Sequence, residues 1–372
     1  MVSYDCAWMF LIVNCNINKL RAGGITMERI SYLVVLGVSL ALIVLGCQQM
    51  QNPTGISQSE DSARGFSLAK ATDSWTVLTP VPTAYPYSIG VEGMSVASIG
   101  NKIYAGFGHD IVDTPTLRIY DIASDSWSFG ANGPGTSSEG AGTAHGGLFY
   151  NIGGRGAGYT SSWSYNPAND SWNVLAPMPT GRAGLAVAVV GNSIYAIGGR
   201  SNTGGPNSWG KLSVVERYDI DKDTWTTVAP LSTPRSDLAA ATVGGKIYVF
   251  GGFNALGIVV NTVEVYNPVT DTWTSGLAPM PTARGGLYAV ATSGGIVYVI
   301  GGWDGIYPFN PIVGSVVEAY KVSKDTWITG LTSMPTPRAE TGAADHGGRI
   351  YILGGAKPGF GASVDANEAY KP

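Results

Sequence analysis

The sequence predicts an all-β protein: six four-stranded blades stacked in sequence around one axis, with the two chain ends sharing a blade. Three observations carry this expectation. First, an Asp-Ser/Thr-Trp tripeptide recurs six times, closing at Trp75, Trp127, Trp172, Trp225, Trp273 and Trp327, 45 to 54 residues apart. Second, two tyrosines keep fixed places in each unit. Tyr120, Tyr165, Tyr218, Tyr266 and Tyr320 lie seven residues before a tryptophan, and Tyr150, Tyr195, Tyr248, Tyr298 and Tyr351 lie three residues before a glycine pair. Third, glycine makes up 52 of 372 residues and charged residues only 13%, against about 7% and about 25% in ordinary soluble chains.

Internal periods of this length signal repeat architectures whose units bury their faces against neighbours. Within one unit, the Ala/Val-rich run Leu238–Val243 turns through Gly244-Gly245 into Lys246–Phe250. The second run shows no apolar/polar alternation, so both its faces are expected to be buried. The pair Gly251-Gly252 permits positive φ where the chain leaves the packed zone. A third strand at Thr262–Tyr266 and a fourth at Thr272–Ser275 follow, joined by a tight turn whose Asp is expected to bond the backbone ahead of it. The first repeat departs from the pattern, with Gly106-Phe107-Gly108 after Tyr104.

The glycine pair, tyrosine and tryptophan at this spacing resemble the kelch repeat, which implies a six-bladed kelch β-propeller over residues 73–372. Tyr370 has no following tryptophan and Trp75 no preceding tyrosine. The simplest ring therefore closes by placing the Trp75 strand beside the Tyr370 strand in one blade.

Ahead of the repeats lies a different kind of chain. Residues 30–45 are a mostly apolar, uncharged run preceded by Arg29, Arg21 and Lys19. It is short for a transmembrane helix and suited to a signal-peptide core. Val44-Leu45-Gly46-Cys47 resembles the lipobox of bacterial lipoproteins, which implies acylation at Cys47. Residues 1–47 are thus expected to be a signal segment, with Met27 an alternative start, and residues 48–72 a polar tether. The expected location is the bacterial cell envelope or the exterior, with the lipidated N-terminus as the only membrane contact and the protein a monomer.

Composition limits the chemistry. A net charge of −4 without a basic block leaves no footprint for nucleic acid. The three cysteines all precede residue 48, and the three histidines are scattered. No metal site and no cofactor is expected. His145 and His346 are read as hairpin surface residues.

The candidate site lies at one end of the innermost strands. A Pro/Thr phrase ends in Arg182, Arg235, Arg284 and Arg338, each 13 or 14 residues before a second-strand tyrosine. These are placed at the mouth of the central channel, with Asp237 and Glu340 nearby and Glu92 and Glu139 in the arginine-free blades. Such a mouth would clamp an acidic sugar or a peptide carboxylate bidentately. The alternative is that these charges satisfy one another and the backbone. The glycine-pair exits carry residues that differ between blades: His109, Asp110, Arg155, Arg200, Phe253, Trp303, Asp304 and Lys357. Variable positions on one face are where repeat scaffolds place specificity.

The leading expectation is an envelope-tethered binding module for a protein, peptide or glycan. The runner-up resembles the bacterial sialic acid mutarotase, with the mouth arginines and acids handling a sugar. A copper radical oxidase similar to galactose oxidase needs a cysteine cross-link that the repeats cannot supply. The segment before the repeats is also too short for the oligomerisation domain of cytoplasmic kelch adaptors.

Overall fold

In a computed structural model of the chain, the structure describes residues 73–372 except 86, 157–158, 202–209, 306–310 and 358–361. The signal segment, the tether and Cys47 lie outside the described residues.

Six antiparallel sheets of four strands each follow one another, and each blade runs from an inner strand to an outer one. The inner strands are Ser95–Ile99, Ala141–His145, Ala186–Val190, Ala239–Val243, Tyr288–Thr292 and Gly342–His346, blades 1 to 6 in chain order. Each lies against the inner strand of the next blade, and the last lies against the first. Blade 4 comprises Ala239–Val243, Lys246–Phe250, Val263–Asn267 and Thr272–Thr274, within a residue of the sequence reading. Its second strand is buried at every position after Lys246.

The core lies between blades. Ala186, Tyr195 and Ile197 of blade 3 pack with Ile247, Val249 and Tyr266 of blade 4. Tyr195 and Tyr266 meet edge-on at 5.7 Å across that interface. Within each blade the third-strand tyrosine lies against the outer-strand tryptophan, at 5.0 Å for Tyr266 and Trp273. Such pairs add roughly 0.5–1.5 kcal/mol beyond the area they bury.

The repeated Asp does a different job from the one expected. Asp125, Asp170, Asp223, Asp271 and Asp325 adopt φ of 46–51°, a region that Asp tolerates better than most residues. Their carboxylates accept the third-strand tyrosine hydroxyl, at 2.6 Å from Tyr266 to Asp271. They also accept a backbone N–H of the preceding blade's connection, at 2.8 Å from Ala229 to Asp271. The tryptophan completes a bracket: Trp273 Nε1 donates to the Ala229 carbonyl at 2.8 Å. The turn itself is held by the residue at the end of the third strand. The Asp121 carboxylate accepts from the Ala123 and Ser124 amides, and Asn166 and Asn267 act likewise.

The ring closes as the unpaired ends require. Ser74–Val77 pairs antiparallel with Asn367–Lys371, with Trp75 opposite Tyr370. The same bracket recurs there: Tyr370 donates to Asp73 at 2.6 Å, the Thr332 amide to Asp73 at 2.6 Å, and Trp75 Nε1 to the Thr332 carbonyl at 2.9 Å. Trp75→Ala is expected to cost about 3 kcal/mol of stability, and removal of residues 73–80 more, because blade 6 then loses its outer strand. Chemical denaturation followed by tryptophan fluorescence checks this; an unchanged midpoint for the truncation would refute closure by the N-terminal strand.

Candidate functional site at the channel mouth

The four arginines do not reach the mouth. Arg182, Arg235, Arg284 and Arg338 are fully buried, each paired with a glutamate on its own blade's third strand. Arg182 meets Glu216 at 2.7 Å, Arg284 meets Glu318 at 2.6 Å and Arg338 meets Glu368 at 2.6 Å; Arg235 pairs with Glu264 in the same way. Carbonyls take further N–H groups: Arg284 donates to Gly301, Thr282 and Val299 at 2.9–3.0 Å, whereas the Nε of Arg182, Arg235 and Arg338 has no partner among the described residues. The threonine of the Pro/Thr phrase caps the glutamate, with Thr282 Oγ1 donating to Glu318 at 2.7 Å. These guanidiniums tie the linker to the blade and are not available to clamp an anion.

The four glutamates were the missed half of this arrangement. Their signal was present, a Glu two residues before the third-strand tyrosine in four of the blades. Blades 1 and 2 replace the lock. Arg118 stands at the glutamate position of blade 1 and donates to the Pro82 and Phe107 carbonyls. In blade 2 that position is Trp163, whose ring lies tilted against Phe107 at 5.2 Å.

What does line the mouth is a ring of six residues, two before each inner strand: Gly93, Glu139, Gly184, Asp237, Gly286 and Glu340. All six have φ between 53° and 62°. Each amide donates to the carbonyl of the preceding ring member at 2.7–3.1 Å, and Gly93 closes the cycle by donating to Glu340. Glycine and acid alternate for a steric reason. A Cβ on Gly93 would lie 3.3 Å from Glu139 Cγ, one on Gly184 2.5 Å from Asp237 Oδ1, and one on Gly286 3.5 Å from Glu340 Cγ. Each acid leans over the glycine before it. The expectation for blade 1 was off by one residue: Gly93 holds the ring place, and Glu92 stands just outside it.

A second ring surrounds the first. The residue after each glycine pair bridges back to the residue before the ring member: His109 to Glu92, Arg155 to Ser138, Arg200 to Ala183, Phe253 to Ser236, Trp303 to Gly285 and Ala356 to Ala339. Blade 6 thus contributes Ala356, with Lys357 exposed beside it. The outer ring is basic over blades 1 to 3 and aromatic over blades 4 and 5. Phe253 and Trp303 meet edge-on at 5.6 Å, and Phe253 covers Gly285, where a Cβ would lie 2.3 Å from its ring. Asp304 follows Trp303 on the same rim, whereas Asp110 is buried and accepts from the Ala84 amide at 2.7 Å. His145 and His346 end inner strands at the hairpins, and no metal-ligating cluster occurs among the described residues.

The charges are unevenly compensated. Arg200 bridges Glu139 and Asp237, and Arg155 reaches Glu139 at 2.9 Å. Burial works against the Arg200 charge, but Asp237 and Glu139 outweigh it and hold its pKa above the ordinary value. Burial raises the Glu139 carboxyl despite Arg200 and Arg155, and raises Glu92 as well. Glu340 receives no ion pair or hydrogen bond on its carboxyl among the described residues. Burial first, then the Glu139, Asp237 and Glu92 carboxylates, push it up to about 8, with Arg200 offsetting part of this. Beneath the mouth is a cavity of about 100 Å³ walled by Met94, Leu185, Leu238, Leu287 and Tyr288.

Two consequences can be measured. Arg284→Ala leaves the Glu318 carboxylate buried without its partner and is expected to cost about 3–5 kcal/mol, much of it restored when Glu318 is also replaced by an apolar residue. Urea denaturation of the single and double variants separates this lock from a ligand site, since a ligand role predicts little loss of stability. For Glu340, the unfolded carboxyl ionises near 4.5 and the folded one near 8. Between those values the folded state holds a proton the unfolded state has lost, so this group's contribution to stability falls as pH rises through the window. Glu340→Gln should therefore raise the melting temperature more at pH 9 than at pH 4; an equal shift at both would contradict the raised pKa.

The comparisons with known proteins agree with the architecture. The profile of the KLHDC2/KLHL20/DRC7 Kelch-repeats domain matches residues 139–355. The chain is similar to Kelch-like protein terF of Aspergillus terreus, 30% identical over 67% of this chain and 56% of that protein. It is also similar to mouse Kelch-like protein 35, 28% identical over 52% of this chain and 30% of that protein. A third relative is alpha-scruin of Limulus polyphemus, 29% identical over 56% of this chain and 22% of that protein. The matched part spans little more than half of the first relative and a third or less of the other two. The fungal and animal sources do not share the bacterial origin that the Cys47 motif suggested. Six four-stranded blades, the Tyr–Asp–Trp brackets and the matched profile lead to one statement: the chain belongs to the kelch-repeat family of β-propellers.

Proposed function

We propose that this propeller is a non-enzymatic interaction module whose mouth face receives a protein or peptide. The observation that carries the reading is the outer ring. Its backbone places are equivalent in all six blades, yet its side chains are His109, Arg155, Arg200, Phe253, Trp303 and Ala356. Repetition of the fold requires none of these identities, and positions freed from the scaffold are where binding surfaces diversify. Half-buried aromatics beside charged groups are the composition of interface anchors. The acidic-sugar alternative loses its main support, because the four arginines it relied on are committed to Glu216, Glu264, Glu318 and Glu368. In the same proposal, residues 48–72 are a tether and Cys47 an acylated anchor that presents the propeller at a membrane surface.

Selection of a random displayed peptide library against the full chain tests the mouth-face reading. Peptides are expected to be recovered whose binding falls about tenfold or more in Phe253→Ala or Trp303→Ala, but not in Asp221→Asn on an exposed turn between third and outer strands. Binding indifferent to the two aromatic substitutions, or an empty selection, would overturn it.

A further inference from the structure

We propose that the channel mouth takes one alkylammonium group of the docked partner, a lysine side chain or an amine of similar reach, with Glu340 as its counter-ion and the channel wall around its stem. This rests on the mouth being the docking face. Of the three carboxylates in the inner ring, Glu139 and Asp237 are neutralised by Arg155 and Arg200, and Glu340 is not. The rim beside Glu340 also differs from the rest. Glu340 leans over Gly286, and the adjacent Gly285 is bridged to Trp303 and covered by Phe253. Blades 4 and 5 thus put aromatic rings at the outer-ring places where blades 2 and 3 have arginines, and aromatic faces attract cations electrostatically.

Below the rim, Tyr288 supplies a second and independent observation. It is the first residue of its inner strand, where the other five blades carry Ser95, Ala141, Ala186, Ala239 and Gly342. Its side chain is half-buried against the core between blades 5 and 6, and desolvation raises its phenol to about 12. It lines the cavity, and none of the described residues makes a hydrogen bond to its hydroxyl. This hydroxyl borders the same cavity as the uncompensated carboxyl and can bond a polar group that enters it. The remaining wall, with Leu185, Leu238, Leu287 and Ala289, suits a methylene stem. An anion would meet three carboxylates there. A multivalent metal ion would need a cluster of ligands, which the described residues do not form.

The test uses n-butylammonium as the probe at pH 8.5, where Glu340 is mostly ionised, with n-butanol and butyrate as neutral and anionic comparisons. Ligand-observed NMR titration of the full chain should show saturable butylammonium binding. Glu340→Gln should weaken it about tenfold or more, as expected for loss of a charge-assisted bond. Tyr288→Phe should weaken it less. Butanol and butyrate should not saturate. Butylammonium binding unchanged in a folded Glu340→Gln variant, or no saturable binding to the full chain, would overturn the inference. Peptide selection keeps the two readings apart. Peptides that need Phe253 and Trp303 but carry no enrichment in lysine sink this inference and leave the docking face standing. Lysine-rich peptides indifferent to both the aromatics and Glu340 sink both.

Discussion

One residue of each blade's exit is held through both its N–H and its carbonyl by the neighbouring blade, and the rest of the ring depends on that hold. At the blade 3–blade 4 interface the unit is Ala229: its N–H goes to the Asp271 carboxylate and its carbonyl takes the Trp273 indole N–H. Tyr266 fixes the carboxylate from the other side. The bracket explains why three residue types recur together at a fixed spacing. Tryptophan alone would supply area but no register. Aspartate alone, in a left-handed backbone near φ 50°, would be a strained turn residue with a better home elsewhere. Together they convert a nonpolar blade interface, which tolerates sliding, into one with a single registration. The terminal blade needs the same bracket, and because its two parts come from Asp73–Trp75 and Tyr370, ring closure and bracket formation are one event.

Around the axis the constraint is different. Six left-handed residues pass a hydrogen bond from blade to blade until the cycle closes. A closed cycle leaves none of these amides unpaired at a place where the backbone turns from one blade into the next. It also fixes how far apart the ring residues stand, which crowds out a side chain at Gly93 and Gly184 and leaves Gly286 ordinary contact distances. Alternating acid with glycine answers that crowding, each carboxylate occupying the space above the preceding glycine. The result is an approximately three-fold arrangement of charge on a six-fold scaffold. Arg200 then breaks the three-fold pattern by serving two of the acids and leaving the third.

Much of the fold was legible in the sequence because periodicity reports equivalence. Coincident tyrosines, tryptophans and glycine pairs identify the blades, and the unmatched Trp75 and Tyr370 identify the closing one. Direction is what periodicity does not report. The four arginines occupy equivalent places in the repeat, but whether their side chains turn toward the axis or back into the blade depends on a partner. That partner, the third-strand glutamate, is 29 to 34 residues further on, inside an ordinary-looking strand. In blade 1 the acid stands one place earlier, at Glu92, and Gly93 takes the ring position. The role of the repeated Asp differs for a related reason: turn chemistry is local, and its partners are the tyrosine of its own blade and the connection leaving the preceding blade.

The two populations of charge at this end of the propeller follow from these constraints. Where arginine and glutamate meet inside a blade, carbonyls and side-chain hydroxyls answer most of the donors and acceptors, and only the Nε of Arg182, Arg235 and Arg338 is left without a partner among the described residues. Where acids face the axis, the closed backbone cycle leaves no amide to answer them, and compensation must come from outside the ring. Arg155 and Arg200 provide it from the outer ring on one side. Phe253 and Trp303 occupy the corresponding outer places on the other side and carry no charge. The incomplete neutralisation of Glu340 is therefore a property of outer-ring identity alone. Substitutions at those few places alter what the mouth accepts while leaving the brackets, the locks and the axial cycle untouched.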